Sequence, residues 1–196
     1  MNKSKPCYSN HHHGKRGPSS FGMHDSEQAF ERLNLKEGDV FLDLGCGAGD
    51  YSLYAAKLVC ESGSVYALDI GGEMLERLSD EALNSGINCI HTMVADVFKP
   101  IAIKDQSVDV CMLATVLHAE NVIEKANVLF REVRRVLKPG GRLVIIECKK
   151  EEMLFGPPIE YRIAPEELES ALFIYGFKKS DYMDLGFNYM ISFLLE

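Results

Sequence analysis

Three glycines and two carboxylates lie within an eight-residue stretch of the chain, residues 43–50. The glycines are Gly45, Gly47 and Gly49, and the carboxylates of Asp43 and Asp50 lie on either side of them. An apolar run precedes this stretch and an amphipathic run follows it, which predicts a strand, a turn and a helix. Glycines allow a tight turn whose backbone comes close to a ligand. The stretch therefore predicts a turn that carries a nucleotide-like ligand.

The spacing of these glycines differs from that of a dinucleotide-binding turn. Such a turn has its third glycine three positions after the second, but Asp50 stands at that position here. Carboxylates at both ends of the turn would repel a diphosphate and suit a cationic group. The turn therefore argues against a nicotinamide dinucleotide and favours a ligand that carries a positive charge.

Composition limits the classes of protein to which the chain can belong. Its 196 residues fit one domain, and the apolar and charged fractions, 46% and 26%, are ordinary for a globular protein. A net charge of −8 argues against nucleic acid and anionic membranes as partners. We find no apolar run of transmembrane length and no secretory signal. Six cysteines without a CxxC pair suit a reducing compartment. A cytoplasmic protein is predicted; its oligomeric state is not indicated.

Strands and helices alternate along most of the chain, which is typical of a parallel sheet covered on both faces. The predicted parallel strands are 40–44, 64–69, 88–95, 108–113 and 142–148. Asp50 is predicted as the N-cap of the helix after the first strand. The last two strand-like runs, 177–185 and 188–195, are joined by two residues and so form an antiparallel hairpin. We predict an α/β fold with a doubly wound, Rossmann-like, mostly parallel sheet of seven strands that ends in this hairpin.

Several motifs in this order resemble those of the class I S-adenosylmethionine-dependent methyltransferases. The resemblance covers roughly residues 25–196 and points to the small-molecule branch that includes ubiquinone/menaquinone and arsenite methyltransferase-like proteins. The matching segments are Asp43-x-Gly-x-Gly-x-Gly49, Asp69 after the second strand, Val94-Ala-Asp96-Val97, residues 134–143 and Gly156-Pro-Pro. The thiols of arsenite enzymes and the longer lid of quinone enzymes are not recognised here. The resemblance therefore implies S-adenosylmethionine as cofactor and an unidentified small molecule as methyl acceptor.

The resemblance also assigns binding roles to residues beyond the glycines. Asp69 lies where an acid accepts both ribose hydroxyls, and Ile70 beside it can pack on the adenine. Asp96 can accept the exocyclic amine of the adenine while the Val97 N–H donates to the ring. The methionine ammonium is expected near Asp43 and the carbonyls around Ala114.

The candidate for a catalytic base is His118, which follows the fourth strand where the crevice of the sheet is expected. Its alternative role is that of a histidine that merely lines the cleft. Glu147 and Lys149, at the end of the fifth strand, and Tyr161 and Arg162 further on are candidates for shaping the acceptor pocket. Cys148 is expected to be buried.

Residues 1–22 are predicted to form a flexible or lid-like arm, and residues 23–196 a single domain. Three consecutive histidines, 11–13, lie in this arm, but adjacent histidines lack the usual spacing of metal ligands, so no metal site is predicted. The residues expected to touch the ligand if the arm is a lid are Tyr8, Arg16, Phe21 and His24.

Four hypotheses about function remain at this point. The first is methyl transfer from S-adenosylmethionine to a small molecule. The second is a non-catalytic regulator that binds the same cofactor. A nicotinamide-dependent oxidoreductase and a metal-handling protein are the third and fourth, and the glycine spacing and histidine spacing argue against them.

Overall fold

The computed structural model describes residues 19–118 and 122–196. Its strands are β1 (Val40–Leu44), β2 (Ser64–Asp69), β3 (Ile90–Val94), β4 (Val108–Ala114), β5 (Leu137–Cys148), β6 (Phe177–Leu185) and β7 (Asn188–Leu195). Its α-helices are α1 (Ser26–Leu33), α2 (Asp50–Val59), α3 (Gly72–Asn84), α4 (Val122–Val136) and α5 (Pro165–Phe173). A short 3-10 helix, Ser20–Met23, precedes α1, and a second one spans Ile159–Tyr161.

The seven strands form one sheet in the order β3-β2-β1-β4-β5-β7-β6. The first five strands pair in parallel, whereas β7 runs antiparallel to β5 and β6. The predicted fold class and the C-terminal hairpin are therefore confirmed. The strand order reverses between β1 and β4, and ligands of such sheets bind in the crevice at the carboxyl ends of the strands at this point.

Alternate side chains of the strands pack on opposite faces of the sheet, as the period of a strand requires. On one face, Phe41 belongs to a cluster with α1 and α2. On the other face, Leu42 and Leu113 pack with Leu129 of α4 and Leu168 of α5. Both faces are covered, so the crevice is left at the edge where the strands end. None of the helices in residues 19–118 and 122–196 is long and apolar enough to cross a membrane.

Strands β3 and β4 differ from the predicted bounds by one or two residues at an end, and two other boundaries differ for a reason that the fold explains. The N-cap of α2 is Gly49, in the left-handed conformation with φ of 82°, and Asp50 is the first helical residue. An acid in the first turn still interacts favourably with the helix dipole, although it does not cap the helix. Strand β5 begins at Leu137 rather than at 142, because Leu137 pairs with Val108 before the register shifts. This pairing with β4 is a tertiary contact that the local Pro-Gly-Gly sequence does not reveal.

Candidate functional site

The three glycines of the turn after β1 meet different surroundings. A Cβ on Gly45 would lie 2.6 Å from Val116, and one on Gly49 would lie 2.5 Å from Leu78. At both positions a side chain would clash with a neighbouring residue of the protein, so packing alone explains why glycine is needed there. A Cβ on Gly47 would meet no atom within 4 Å. Of the three, Gly47 is therefore the one whose backbone faces open space that a ligand can enter.

Packing at Gly49 gives a testable prediction for stability. We expect Gly49→Ala to lower the free energy of unfolding by about 3 kcal/mol, because the methyl group meets the buried Leu78 in a left-handed backbone. Gly86→Ala is the matched control, since Gly86 also has positive φ but open space around its Cβ position. Gly86→Ala should lower the free energy of unfolding, measured by urea denaturation, by only about 1 kcal/mol. Equal losses for the two variants would contradict the proposed contact.

Asp43 is a buried carboxylate at the end of β1, only 1% exposed. Ser52 of α2 donates a hydrogen bond of 2.6 Å to its Oδ2. Burial raises the pKa of Asp43 to about 7, the bond from Ser52 opposes this shift, and Asp69 adds to it. An approaching cation would therefore favour the ionised form of this carboxylate.

Asp69 joins the end of β2 to the glycine turn. Its Oδ2 accepts a bond of 2.9 Å from the N–H of Gly47, and its Oδ1 accepts one of 2.8 Å from Gly71. The side chain is largely buried, whereas the next residue, Ile70, is 75% exposed. The tie between Asp69 and Gly47 was not predicted, since sequence spacing gives no register between separate turns. It places the carboxylate beside the one glycine of the turn that faces open space.

The other two predicted binding segments lie at the same edge of the sheet. Asp96 and Val97 follow β3, and Asp96 is half-buried, with its Oδ1 accepting a bond of 3.0 Å from the Phe98 N–H. Its Oδ2 lies 3.4 Å from Nζ of Lys99. Ala114 ends β4, and its carbonyl accepts a bond of 2.7 Å from Oγ1 of Thr115. The fold thus brings the ends of β1, β2, β3 and β4 together, as the parallel sheet requires.

His118 forms a hydrogen-bonded pair with Glu147, which is 1% exposed. Nδ1 of His118 lies 2.9 Å from Oε2 of Glu147, and the Leu117 N–H donates a bond of 2.6 Å to Oε1. The bond to Glu147 raises the pKa of His118, while burial and the nearby Arg162 oppose the shift. The sequence suggested Glu147 only as a residue that shapes the pocket. That its carboxylate orients His118 depends on the pairing of β4 with β5.

Arg162 holds the segment that follows β5 against the domain. Its side chain is 4% exposed, and its guanidinium donates hydrogen bonds of 2.7–3.2 Å to backbone carbonyls. The four accepting residues are Lys149, Glu151, Phe155 and Pro157. The guanidinium is thus a backbone clamp, a role that the sequence does not reveal. Its near neighbour Tyr161, by contrast, is exposed.

Two of the four residues expected in a lid, Phe21 and His24, are described by the structure. Both lie against Tyr51, in the first turn of α2 after the glycines. The ring of Phe21 is 5.0 Å from that of Tyr51, and Nε2 of His24 is 3.2 Å from the Tyr51 hydroxyl. Nδ1 of His24 is 3.4 Å from Nδ2 of Asn188 at the start of β7. Tyr8, Arg16 and the three histidines lie outside the described residues, so the lid stays a prediction.

Comparison with known proteins agrees with this fold. Residues 35–184 match the model of a family described as a methyltransferase domain. The chain is 37% identical over 134 residues to the ubiquinone/menaquinone biosynthesis C-methyltransferase of Azotobacter vinelandii, covering 67% of this chain and 51% of the relative. It is 30% identical over 136 residues to the demethylmenaquinone methyltransferase of Bacillus subtilis, covering 68% and 57%. A crystal structure of a SAM-dependent methyltransferase from Aquifex aeolicus matches with a TM-score of 0.81 and 29% identity, covering 92% and 95% of the two chains.

The strand order and the glycine turn thus define a class I methyltransferase fold. The chain belongs to the methyltransferase domain family, within the S-adenosylmethionine-dependent methyltransferases. This confirms the resemblance, the enzyme class and the cofactor predicted from the sequence. The chain spans about half the length of the curated relatives that it matches.

Proposed function

We propose that the protein transfers a methyl group from S-adenosylmethionine to a small-molecule acceptor. The observation that carries this proposal is the convergence of Asp43, Gly47 and Asp69 where the strand order reverses. The open backbone at Gly47 lies between two carboxylates. That of Asp43 is buried, and that of Asp69 accepts a hydrogen bond from the Gly47 N–H. This arrangement matches a ligand with a cation at one end and a diol at the other.

The residues at this edge fit the parts of S-adenosylmethionine. Asp43 would hold the methionine ammonium with carbonyls near Ala114, since its carboxylate is buried and its bond of 2.6 Å comes from a neutral hydroxyl, that of Ser52. Asp69 would accept the ribose hydroxyls with lone pairs that Gly47 and Gly71 leave free. Ile70, exposed and apolar, would cover one face of the adenine.

The remaining adenine contacts would come from the segment after β3. Asp96 would accept from the exocyclic amine and the Val97 N–H would donate to the ring, the roles that the family resemblance gives them. Hydrogen bonds from Gly45 and Cys46 N–H to the Leu68 carbonyl tie the glycine turn to β2. These bonds would hold the two halves of the cofactor site at a fixed separation.

The cofactor supplies an activated methyl group when it is bound, so the protein has to orient the acceptor, exclude water and remove a proton where one is released. His118 lies on the loop after β4 and is the candidate that would accept such a proton. This histidine, paired with a buried carboxylate, favours catalysis over a non-catalytic regulator, which would need no base at the crevice.

The names of the relatives suggest a finer candidate for the acceptor. The Azotobacter relative is a C-methyltransferase of ubiquinone/menaquinone biosynthesis, and the Bacillus relative acts on demethylmenaquinone by name. We propose a ring of this quinone type as the first acceptor to test. A net charge of −8 disfavours nucleic acid as acceptor.

Transfer of a radiolabelled methyl group tests this proposal. The protein is incubated with methyl-labelled S-adenosylmethionine and a panel of quinols, phenols, amines and thiols, and labelled products are separated. We expect label in at least one small acceptor and production of S-adenosylhomocysteine. Binding of S-adenosylhomocysteine without transfer to any acceptor would favour the non-catalytic regulator instead.

The raised pKa of Asp43 predicts that cofactor binding depends on pH. With a pKa of about 7 in the free protein, Asp43 must release a proton below that pH before its carboxylate can pair with the ammonium. We expect the affinity for S-adenosylhomocysteine to fall toward tenfold per pH unit below about pH 7 and to level off above it. Calorimetry in buffers of different ionisation enthalpy measures the proton release.

The matched control is Asp43→Asn, which keeps the shape of the side chain and removes its titration. This variant should bind more weakly and lose most of the dependence on pH in this range. A wild-type affinity that is constant from about pH 5.5 to 8 would show that Asp43 does not pair with the ammonium.

A further inference from the structure

One group of three side chains that can bind a metal lies at the carboxyl edge of the sheet. A ring nitrogen of His118, a carboxylate oxygen of Glu147 and Sγ of Cys148 all lie within 4.8 Å of one another. No other such group is found within residues 19–118 and 122–196. We propose that these three side chains form a binding site for a zinc ion, and that zinc bound there inhibits methyl transfer. The inhibition rests on the proposed function, whereas the metal site does not.

The ends of two neighbouring strands bring the three side chains together. Cys148 is the last residue of β5 and Glu147 is the one before it, whereas His118 follows β4. Strands β4 and β5 pair in parallel, and β7 pairs with β5 on its other side as far as Cys148. Two of the three ligands are therefore held by the sheet, and the third lies on the loop that follows the adjacent strand.

Burial distinguishes this group from an ordinary cluster of surface acids. Glu147 is 1% exposed and Cys148 9%, whereas His118 is 27% exposed. Oε1 of Glu147 accepts a bond of 2.6 Å from the Leu117 N–H, and Oε2 lies toward Nδ1 of His118. Such a bond to one carboxylate oxygen orients the other oxygen as a metal ligand. The partly exposed histidine gives an ion access to the buried pair of ligands.

The ligand atoms indicate which metal the site would bind. Nitrogen, oxygen and sulfur together suit zinc, whereas magnesium and calcium prefer oxygen ligands. A zinc ion with a neutral imidazole, a carboxylate and a thiolate has no net charge, which limits the cost of burying it. Arg162, a cation that acts on both His118 and Cys148, would then face a neutral complex.

Small movements would convert the hydrogen-bonded pair into a metal site. Nδ1 of His118 and Oε2 of Glu147 are 2.9 Å apart. In a tetrahedral zinc site these two atoms are about 3.4 Å apart, and a sulfur ligand is about 3.6 Å from each. The pair would open by about 0.5 Å. The sulfur of Cys148, at most 4.8 Å away, would approach by about 1 Å.

Zinc binding exchanges a proton for the metal. The thiol of Cys148 loses its proton to solvent as the bond between sulfur and zinc forms. The neutral ring of His118 carries its hydrogen on Nε2 instead of Nδ1, so that the lone pair of Nδ1 binds the metal. Water leaves the hydrated ion as these ligands replace it. Zinc has no redox chemistry, so no electron is transferred.

The position of the group explains why zinc would inhibit. His118 and the end of β5 lie where the acceptor would meet the methyl group in the proposed function. Zinc sites with three protein ligands keep a fourth position for water, so the ion and its water would fill this space. Zinc would therefore compete with the acceptor. It would not compete with the parts of the cofactor that are assigned to the ends of β1, β2 and β3.

Cobalt(II), which absorbs light in sites of this kind, tests the ligand set without turnover. Titration of the reduced full chain with cobalt should produce a thiolate-to-cobalt charge-transfer band, and added zinc should remove it. Cys148→Ser should form no such band. Cys60→Ser is the matched control and should form it, since Cys60 is exposed and lies outside the group. No band in the wild type, or a band that persists in Cys148→Ser, would overturn the proposal.

The histidine-rich arm needs its own control, because its side chains are also potential zinc ligands. A variant that combines Cys7→Ser, His11→Ala, His12→Ala and His13→Ala should keep the cobalt band and bind one zinc per chain in calorimetry. Adding His118→Gln should weaken zinc binding by about 100-fold or more, since even a residue behind a ligand contributes about 10–100-fold. Circular dichroism checks that each variant is folded. Loss of the band in the arm variant, or equal zinc affinity with and without His118→Gln, would overturn the proposal.

Methyl transfer with and without zinc tests the inhibition. Zinc should lower transfer to each acceptor of the radiolabel panel that the wild-type protein methylates, and EDTA should restore it. Half-inhibition of Cys148→Ser should need about 100-fold more zinc or above. Transfer that zinc raises or leaves unchanged would overturn the inhibitory role. The cobalt band needs no turnover, so a protein that methylates no acceptor would contradict the proposed function while the band still decides on the metal site.

Discussion

Replacing Asp69 with alanine is expected to weaken the binding of S-adenosylhomocysteine by about 100-fold or more. Two charge-assisted hydrogen bonds to the ribose would be lost, each contributing about 1.5 kcal/mol or more, and about 1.4 kcal/mol corresponds to a factor of ten. The N–H of Gly47 also loses its partner, so the glycine turn becomes less well ordered. Titration calorimetry with the full chain measures the change in Kd.

The control for this prediction is Asp80→Ala, which removes an exposed acid from α3 and leaves the glycine turn intact. Its Kd should equal that of the wild type. Circular dichroism of Asp69→Ala should show the same helix and strand content as the wild type, so that weak binding is not due to unfolding. Wild-type affinity in a folded Asp69→Ala protein would contradict the assignment of the ribose site.

Replacing Arg162 with methionine is expected to lower the free energy of unfolding by about 3 kcal/mol. The guanidinium is buried and donates to four backbone carbonyls, which lose their partners while methionine fills much of the volume. A buried acceptor without a hydrogen-bond partner lowers stability by about 1–3 kcal/mol. The total is smaller where the segment can move and let water bond to these carbonyls. Urea denaturation at neutral pH measures the change.

Arg32→Met is the matched control for this variant. Arg32 also donates to a specific partner, Asp181, but its side chain is 56% exposed. Exposed ion pairs contribute little to stability, so the control should leave the denaturation midpoint unchanged within error. A midpoint for Arg162→Met equal to that of the control would show that the segment after β5 does not depend on the guanidinium.

The sequence predicted most of the fold because the relevant signals are local. The apolar run at β1, the spacing of the strands and the two-residue turn at Gly186 each specify their element within a few residues. The boundary at Asp50 was wrong because a left-handed Gly49 caps α2 instead. The start of β5 was wrong because Leu137 is drawn into the sheet by a distant strand.

The positions of some candidate site residues could be predicted for the same reason, while their binding roles stay predictions. Asp69 and Ile70 were placed from the end of β2, a local feature. The bond from the Gly47 N–H to Asp69, the pair formed by His118 and Glu147 and the clamp of Arg162 all join residues distant in sequence. Such contacts depend on strand register and loop path, which one sequence does not specify.

The central claim is that the crevice between β1 and β4 is built for S-adenosylmethionine and not for a dinucleotide. Titration calorimetry of the full chain with S-adenosylhomocysteine and, separately, with NADH tests it most directly. We expect one S-adenosylhomocysteine per chain with a Kd in the micromolar range or below, and no measurable heat with NADH. Absence of S-adenosylhomocysteine binding at about 1 mM, or binding of NADH that Asp69→Ala abolishes, would contradict the claim.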